Sequence, residues 1–253
     1  MRMAIITLTT DFGRSDHYVG RLKGLINSKM QTANVVDITH DINNFDIQSA
    51  AFQVKHTWKS FPQHSLHFVW VGDHLRPKTN WIACRFQDHF FVLPNNGLIT
   101  LILDADPEQV VRLQTQEKPL DEVLMGYLTQ IVKEKSILGA GDHFGNYLER
   151  VEQKPVVTNN LIRGSIQHVD KFGNLITNIS QELYEQQVEN RSFEIMTRSF
   201  QIRGLSTTYS DEEMGEIIAF FNSQNVLQIS QNQGNASQIL GLKIGDSVQI
   251  EFK

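Results

Sequence analysis

Two periods of hydrophobic and polar residues take turns along the first half of the chain. Met3-Ala4-Ile5-Ile6-Thr7-Leu8 is a β-branched, apolar run that predicts a buried strand, and from Tyr18 to Met30 the residues Val19, Leu22, Leu25 and Ile26 recur at helical spacing. Asn34 to His40 predicts a second strand with a polar end, and helical spacing returns through Phe45, Ile47, Ala50, Ala51, Val54 and Trp58. Ser65 to Val71 predicts a third strand that runs into a polar loop at Gly72. Trp81 to Phe86 and His89 to Leu93 predict a hairpin around Gln87-Asp88, closed by Pro94-Asn95-Asn96-Gly97. Leu98 to Leu103 and Val110 to Leu113 are expected as short strands, and Leu120 to Val132 as a helix with Leu124, Tyr127, Leu128 and Ile131 inward. Strand–helix–strand–helix order implies parallel pairing with right-handed crossovers. Residues 1–150 are therefore expected to form an α/β domain around a central, mostly parallel sheet.

Between about Ser136 and Asn160 the pattern loses its period and fills with Gly, Asn and Glu, and its second half reads as a link between domains. Beyond it come short strands: Ile162 to Val169, Phe193 to Met196, Glu216 to Phe221, Val226 to Ser230 and Ser247 to Phe252. Residues 160–253 are expected to form a smaller all-β, barrel-like domain. Asp142-His143-Phe144-Gly145-Asn146 echoes Asp170-Lys171-Phe172-Gly173-Asn174, but without matching flanks the echo is read as coincidence.

Composition narrows the classes. The chain is 40% hydrophobic and 20% charged, as expected of an ordinary soluble protein. A formal net charge of -5 argues against a nucleic-acid or anionic-membrane partner, which needs a basic face. Arg2 and Met3 lead straight into a strand-like run rather than a secretory leader, and no apolar run approaches the roughly 20 residues that span a bilayer. Cys84 is the only cysteine, which excludes an internal disulfide and a cysteine-based zinc cage. The histidines are scattered without ligand spacing, so no metal site is expected. A cytoplasmic protein acting on a small molecule fits these limits.

The chemistry concentrates in two stretches. Thr9-Thr10-Asp11-Phe12-Gly13-Arg14-Ser15-Asp16-His17-Tyr18 lies where the first strand hands over to the first helix, at the strand end where open α/β sheets bind ligands. A carboxylate is acceptor-only, so Asp11 suits a ribose diol and Asp16 an ammonium. The same residues also suit a plainer role, with Asp11 and Ser15 capping the helix and Gly13 making the turn. In Asp170-Lys171-Phe172-Gly173-Asn174, Phe172 offers a flat apolar face and Asn174 an amide that presents a donor and an acceptor to a purine edge. A simple β-turn explains Gly173, though not Asp170 and Phe172 as well.

Thr9-Thr10-Asp11-Phe12-Gly13 with Asp16, Asp37-Ile38-Thr39-His40, Pro94-Asn95-Asn96-Gly97, Phe172-Gly173-Asn174 with Thr177-Asn178-Ile179, and Gly234-Asn235-Ala236 occur in one order. Together they resemble the S-adenosyl-L-methionine (SAM) hydroxide adenosyltransferases, or SAM hydrolases, relatives of the fluorinase and chlorinase. The resemblance implies a homotrimer in which SAM lies between the N-terminal domain of one subunit and the C-terminal domain of the next. It implies no cofactor beyond SAM as substrate. By position, Asp11 would hold the ribose diol, and Asp16 and Asp170 the methionine ammonium. Tyr18 would lie by the methionine part and Phe45 would pack on the ligand. Phe172 would stack on adenine, Asn174 would read its edge, and Ser230, Asn235 and Ala236 would line the far side.

The implied reaction is attack of water at the ribose C5′, releasing adenosine and methionine. Family hydrolases orient that water with an Asp, an Arg and a His. Here one deletion in the loop Gly72-Asp73-His74-Leu75-Arg76-Pro77-Lys78-Thr79-Asn80 restores Asp73 to the acidic position. Asn80 then stands where the Arg is expected, so Arg76 or Lys78 would have to replace it, and the His position falls near Lys118. The catalytic candidates are therefore Asp73, Arg76 and Lys118, and a solvated loop is the plain alternative for the first two. A SAM- or adenosine-binding protein with lost or very slow turnover is the competing function.

Overall fold

A computed structural model describes residues 3–72, 80–115, 119–188, 191–198 and 200–253 of the chain. The chain divides into two units between Glu152 and Gln153.

The first unit carries strands β1 (Ile5–Thr10), β2 (Asn34–Thr39), β3 (Leu66–Trp70), β4 (Trp81–Phe86), β5 (His89–Pro94), β6 (Gln109–Leu113) and β7 (Asp142–His143). Its helices are α1 (Tyr18–Lys29), α2 (Ile47–Lys55), α3 (Leu98–Ile102) and α4 (Leu120–Glu134). The strands form one sheet in the order β2-β1-β3-β5-β4-β6-β7. β1 is parallel to β2 and β3, and β3 is parallel to β5, but β4 runs antiparallel to both β5 and β6, and β6 to β7. The sheet is thus mixed, which corrects the expected mostly parallel one. The cause is the two-residue connection between β4 and β5: so short a link permits only an antiparallel pair, since parallel strands need a crossover of a dozen or more residues. Gln87 and Asp88, at φ 48° and 61°, make that turn.

Alternation along β1 divides the unit into two cores. Ile6 and Leu8 face α1 and α4, packing with Leu22, Ile26, Leu124, Leu128 and Ile131. Thr7 faces the other side, where Ala50, Val54, Trp58, Val69, Ile82, Phe91, Leu98 and Ile102 gather under α2 and α3. The run Leu98 to Leu103, expected as a strand, is the short helix α3. Leu98, Ile99, Leu101 and Ile102 are all buried there, and an apolar run without a polar face carries no period by which a helix can be told from a strand. Tyr127, expected inward on α4, is only half-buried, and Met125 is fully buried instead.

The second unit carries strands β8 (Val156–Thr158), β9 (Leu161–Val169), β10 (Leu175–Ser180), β11 (Phe193–Met196), β12 (Gln201–Arg203), β13 (Ile217–Phe221), β14 (Val226–Gln231) and β15 (Ser247–Phe252), with helices α5 (Gln181–Val188) and α6 (Ala236–Leu240). All pairings are antiparallel, in the order β12-β11-β15-β9-β10-β14-β13, with β8 on β9. The nine-residue β9 pairs through its first half with β15 and through its second with β10, so it bends the sheet into a nearly closed, barrel-like form. Ile162, Ile166, Leu175, Ile195, Leu227, Ile229, Val248 and Ile250 fill the interior.

Candidate functional site

In the first unit the parallel strands β2, β1, β3 and β5 end along one edge of the sheet, and Asp11 is the first residue past β1. Asp11 is 5% exposed. Its Oδ2 accepts hydrogen bonds from the backbone N–H of Phe45 at 3.0 Å and of Gly72 at 3.2 Å. Its Oδ1 has no protein hydrogen bond among the described residues. A buried carboxylate held by two fixed dipoles and open on its other oxygen is suited to accept from a ligand's hydroxyls. The capping alternative does not hold, because α1 starts at Tyr18 after His17 with no side-chain cap.

Phe45 approaches from the loop before α2 in a left-handed conformation, φ 68°, which is rare for a bulky residue. Its N–H on Asp11 fixes that turn, and Asp46 then caps α2 by accepting from Ser49 N–H at 3.0 Å. The Phe45 side chain is 40% exposed. Asp16 is exposed on the loop ahead of α1, and Tyr18 is exposed on the first turn of α1. Phe12 links the Tyr18 ring, 5.9 Å away, to that of Trp70, 5.4 Å away in an edge contact. Asn96, at the end of β5, donates to the carbonyl of Val71 at 2.9 Å and so steadies the approach of Gly72 to Asp11. Asp73, Arg76 and Lys118 lie outside the described residues, as does Lys78.

In the second unit a turn joins β9 to β10. Asp170 Oδ1 accepts from the N–H of Phe172 and of Asn174, both at 2.9 Å, and its Oδ2 accepts from Asn174 Nδ2 at 2.8 Å. Asp170 is thus the staple of its own turn, and its N–H also bonds the Asn174 backbone carbonyl at 3.1 Å, while the Asn174 side-chain oxygen Oδ1 has no protein donor among the described residues. The stapled turn holds the Phe172 ring out into solvent, 74% exposed. Gly173 sits at φ 84°, and a Cβ there would lie 2.1 Å from Asn235 Oδ1, so only glycine fits. Asn235 caps α6 by accepting from Gln238 N–H at 2.9 Å, and Ser237 N–H bonds the Gly173 carbonyl at 2.9 Å. The structure therefore gathers Asp170, Phe172, Asn174, Asn235 and the buried Ala236 at one end of the barrel. Leu175 pairs with Ile229, which brings Ser230 beside Asn174, but Ser230 is fully buried and its Oγ accepts from Gln228 Nε2 at 2.9 Å. Asp142 to Asn146, the echo of this turn, instead lead from the edge strand β7, where Phe144 N–H bonds the Val110 carbonyl.

Among the described residues no cluster of His, Cys, Asp or Glu is arranged to hold a metal ion, and no helix is long and apolar enough to cross a membrane.

Residues 6–127 match the N-terminal domain of the SAM hydroxide adenosyltransferases, and residues 164–249 match their C-terminal domain. The chain belongs to the SAM hydroxide adenosyltransferase family. Within that family it is 25% identical to an (R)-S-adenosyl-L-methionine hydrolase of Methanocaldococcus jannaschii, over 98% of this chain and 96% of that one. It is 23% identical to a fluorinase of an Actinoplanes species over 97% of each chain. The fold is shared with a crystal structure of a conserved protein from Thermotoga maritima, at a TM-score of 0.85 and 24% identity, covering 97% of this chain and 99% of that one.

Two site residues escaped the sequence reading. Gly72 supplies a backbone donor, which no residue type advertises. His40, read as one of the scattered histidines, is 1% exposed and places its Nδ1 2.8 Å from Thr10 Oγ1, next to Asp11. Its place in Asp37-Ile38-Thr39-His40, at the end of a strand adjacent to β1, was the available signal.

Proposed function

We propose that the protein hydrolyses S-adenosyl-L-methionine to adenosine and L-methionine, working in the cytoplasm as a homotrimer. The observation that carries this reading is Asp11: a buried carboxylate at the carboxyl ends of parallel strands, with one oxygen anchored and the other open, in a chain of this family. The open oxygen takes the ribose 2′- and 3′-hydroxyls and fixes C5′ relative to the sheet. In the trimer, the turn of a neighbouring subunit stacks Phe172 on adenine and offers the Asn174 side-chain Oδ1 to the adenine amino group. Asp16 and Asp170 face the methionine ammonium, with Tyr18 and Phe45 beside the ligand.

The sulfonium is already a good leaving group, so the protein's task is to align and partly desolvate the nucleophile. The water oxygen bonds to C5′ as the C5′–S bond breaks. Its electron pair passes to sulfur, giving neutral methionine thioether, and the water's proton leaves to a base. We assign that role to Asp73, which one deletion in the loop sets on the family's acidic position, with Arg76 and Lys118 as the cations that would replace the family's Arg and His. A lysine supplies a point charge without the guanidinium fork, so turnover below that of relatives with the full set is expected.

The test is incubation with SAM and chromatography for adenosine, methionine and intact SAM, followed by single-turnover adenosine release. Asp73→Asn should lower the rate about 10²–10⁴-fold with SAM affinity within a few-fold, and Lys118→Met should lower it less. Equal rates in wild type and both variants would remove these residues from the mechanism. Tight SAM binding with release at the uncatalysed rate would establish the binding-protein reading instead.

A further inference from the structure

We infer that His40 is a positioning residue that sets Asp11 for its ligand, an inference that rests on the reading of Asp11 as the acceptor of a ribose diol. The sheet has a defect beside Asp11. β1 and β2 pair in parallel as far as Leu8 with Asp37, but the next pair is Thr9 with Thr39, so Ile38 is an extra residue. Bulges of this kind interrupt the ladder and re-aim side chains, and they collect next to active sites. Residues three apart on a regular strand point to opposite faces. Across this bulge Asp37 and His40 instead come together, with His40 Nε2 3.1 Å from Asp37 Oδ1. The carboxylate lies off the axis of the ring N–H, so this is a close polar contact rather than an aligned hydrogen bond.

Side chains replace the interrupted backbone ladder. Thr10 Oγ1, fully buried, lies 2.8 Å from His40 Nδ1. The His40 carbonyl accepts from Gly13 N–H at 2.8 Å. One buried residue just past β2 therefore grips the turn on both sides of Asp11, at Thr10 and at Gly13. Asp37 continues the chain outward, its Oδ2 2.6 Å from Lys23 Nζ on α1. Burial pushes the Asp37 carboxyl up, but the Lys23 ammonium and His40 outweigh it and hold the group below the usual carboxylate range. An ionised Asp37 can only accept, so the proton of a neutral His40 belongs on Nε2. Nδ1 is then the acceptor, the Thr10 hydroxyl donates to it, and the Thr10 oxygen keeps a lone pair for Phe12 N–H at 3.4 Å. In that tautomer Thr10 bridges the His40 ring and Phe12 N–H, on the two sides of Asp11.

If His40 served only to fill space, replacing it would weaken all ligands alike or alter stability alone. If it positions Asp11, the loss falls on the diol. The experiment measures binding of adenosine and of 2′,3′-dideoxyadenosine by titration calorimetry to wild type, His40→Leu, Thr10→Val and His40→Asn, each confirmed folded by circular dichroism. Wild type should prefer adenosine. Both His40→Leu and the near-isosteric Thr10→Val should lose about tenfold of that preference, with dideoxyadenosine affinity held within about twofold of wild type. His40→Asn, whose amide oxygen can stand in for Nδ1, should keep most of the preference. An unchanged preference in folded His40→Leu or Thr10→Val would overturn the inference, as would an equal loss for both ligands. A wild type that binds both nucleosides equally, or neither, would overturn the reading of Asp11 itself.

Discussion

A carboxylate that spends one oxygen on two backbone amides has its direction fixed before any ligand arrives, and this preorganisation is what Asp11 contributes. Asp11→Asn removes the charge and sets an amide in its place. Loss of a charge-assisted hydrogen bond typically costs about 1.5–3 kcal/mol, so the adenosine dissociation constant should rise roughly 10–150-fold in a calorimetric titration. At Gly173 the constraint is shape. Gly173→Ala adds a methyl at φ 84° against Asn235, and should lower stability to urea by roughly 1–3 kcal/mol. The carboxylates and the Phe-Gly-Asn turn could be read from the sequence because their residue types name their chemistry. The amides of Phe45 and Gly72 could not, since a backbone donor leaves no mark on the residue list. Nor could the structural role of Asp170, whose three side-chain bonds all return to its own turn.

Among the elements, β3 carries a buried charge-capable group into the core beneath α2. His67 bonds Thr7 Oγ1 at 2.8 Å and His89 at 3.0 Å, with Trp58 and Phe91 packed around the ring. Burial, and then the neighbouring His89, push the His67 pKa down to about 3. The folded value lies below the unfolded one, so the unfolded chain binds more protons between pH 3 and 6.5, and stability falls as pH drops through that window. Between pH 7 and 5 this group alone should remove about 2 kcal/mol, read as the shift in urea midpoint. A His67→Leu variant should show a flatter pH profile over the same range. Helices with one apolar face, α1, α2 and α4, were legible from periodicity within a few residues, and the β4–β5 hairpin from two apolar runs around Gln87-Asp88. α3 was not, because all its apolar residues are buried. α5 was not either, because its apolar side is only Leu183, Tyr184 and Val188, none of them fully buried. The direction of β4 depended on a link two residues long rather than on any pattern of polarity.

At the scale of the whole molecule, a binding site shared around a ring would tie ligand affinity to assembly. Light scattering should give a trimer. Mixing Asp11→Ala with Asn174→Ala, each defective alone, should restore part of the adenosine binding, because mixed rings contain some intact pairings. A monomer that binds SAM tightly would remove this arrangement. The two-residue turn at Gln87-Asp88 bears on how the chain reaches its fold. β4 and β5 close a minimal loop, whereas pairing Thr7 with His67 joins positions 60 residues apart. Loop-closure entropy rises with separation, so the hairpin is the low-cost nucleus, and the free side of β5 is the template on which β3, then β1 and β2, can zip. In stopped-flow mixing, Val92→Ala in β5 should slow refolding in proportion to the stability it removes. Val35→Ala in β2 should leave refolding unchanged and hasten unfolding.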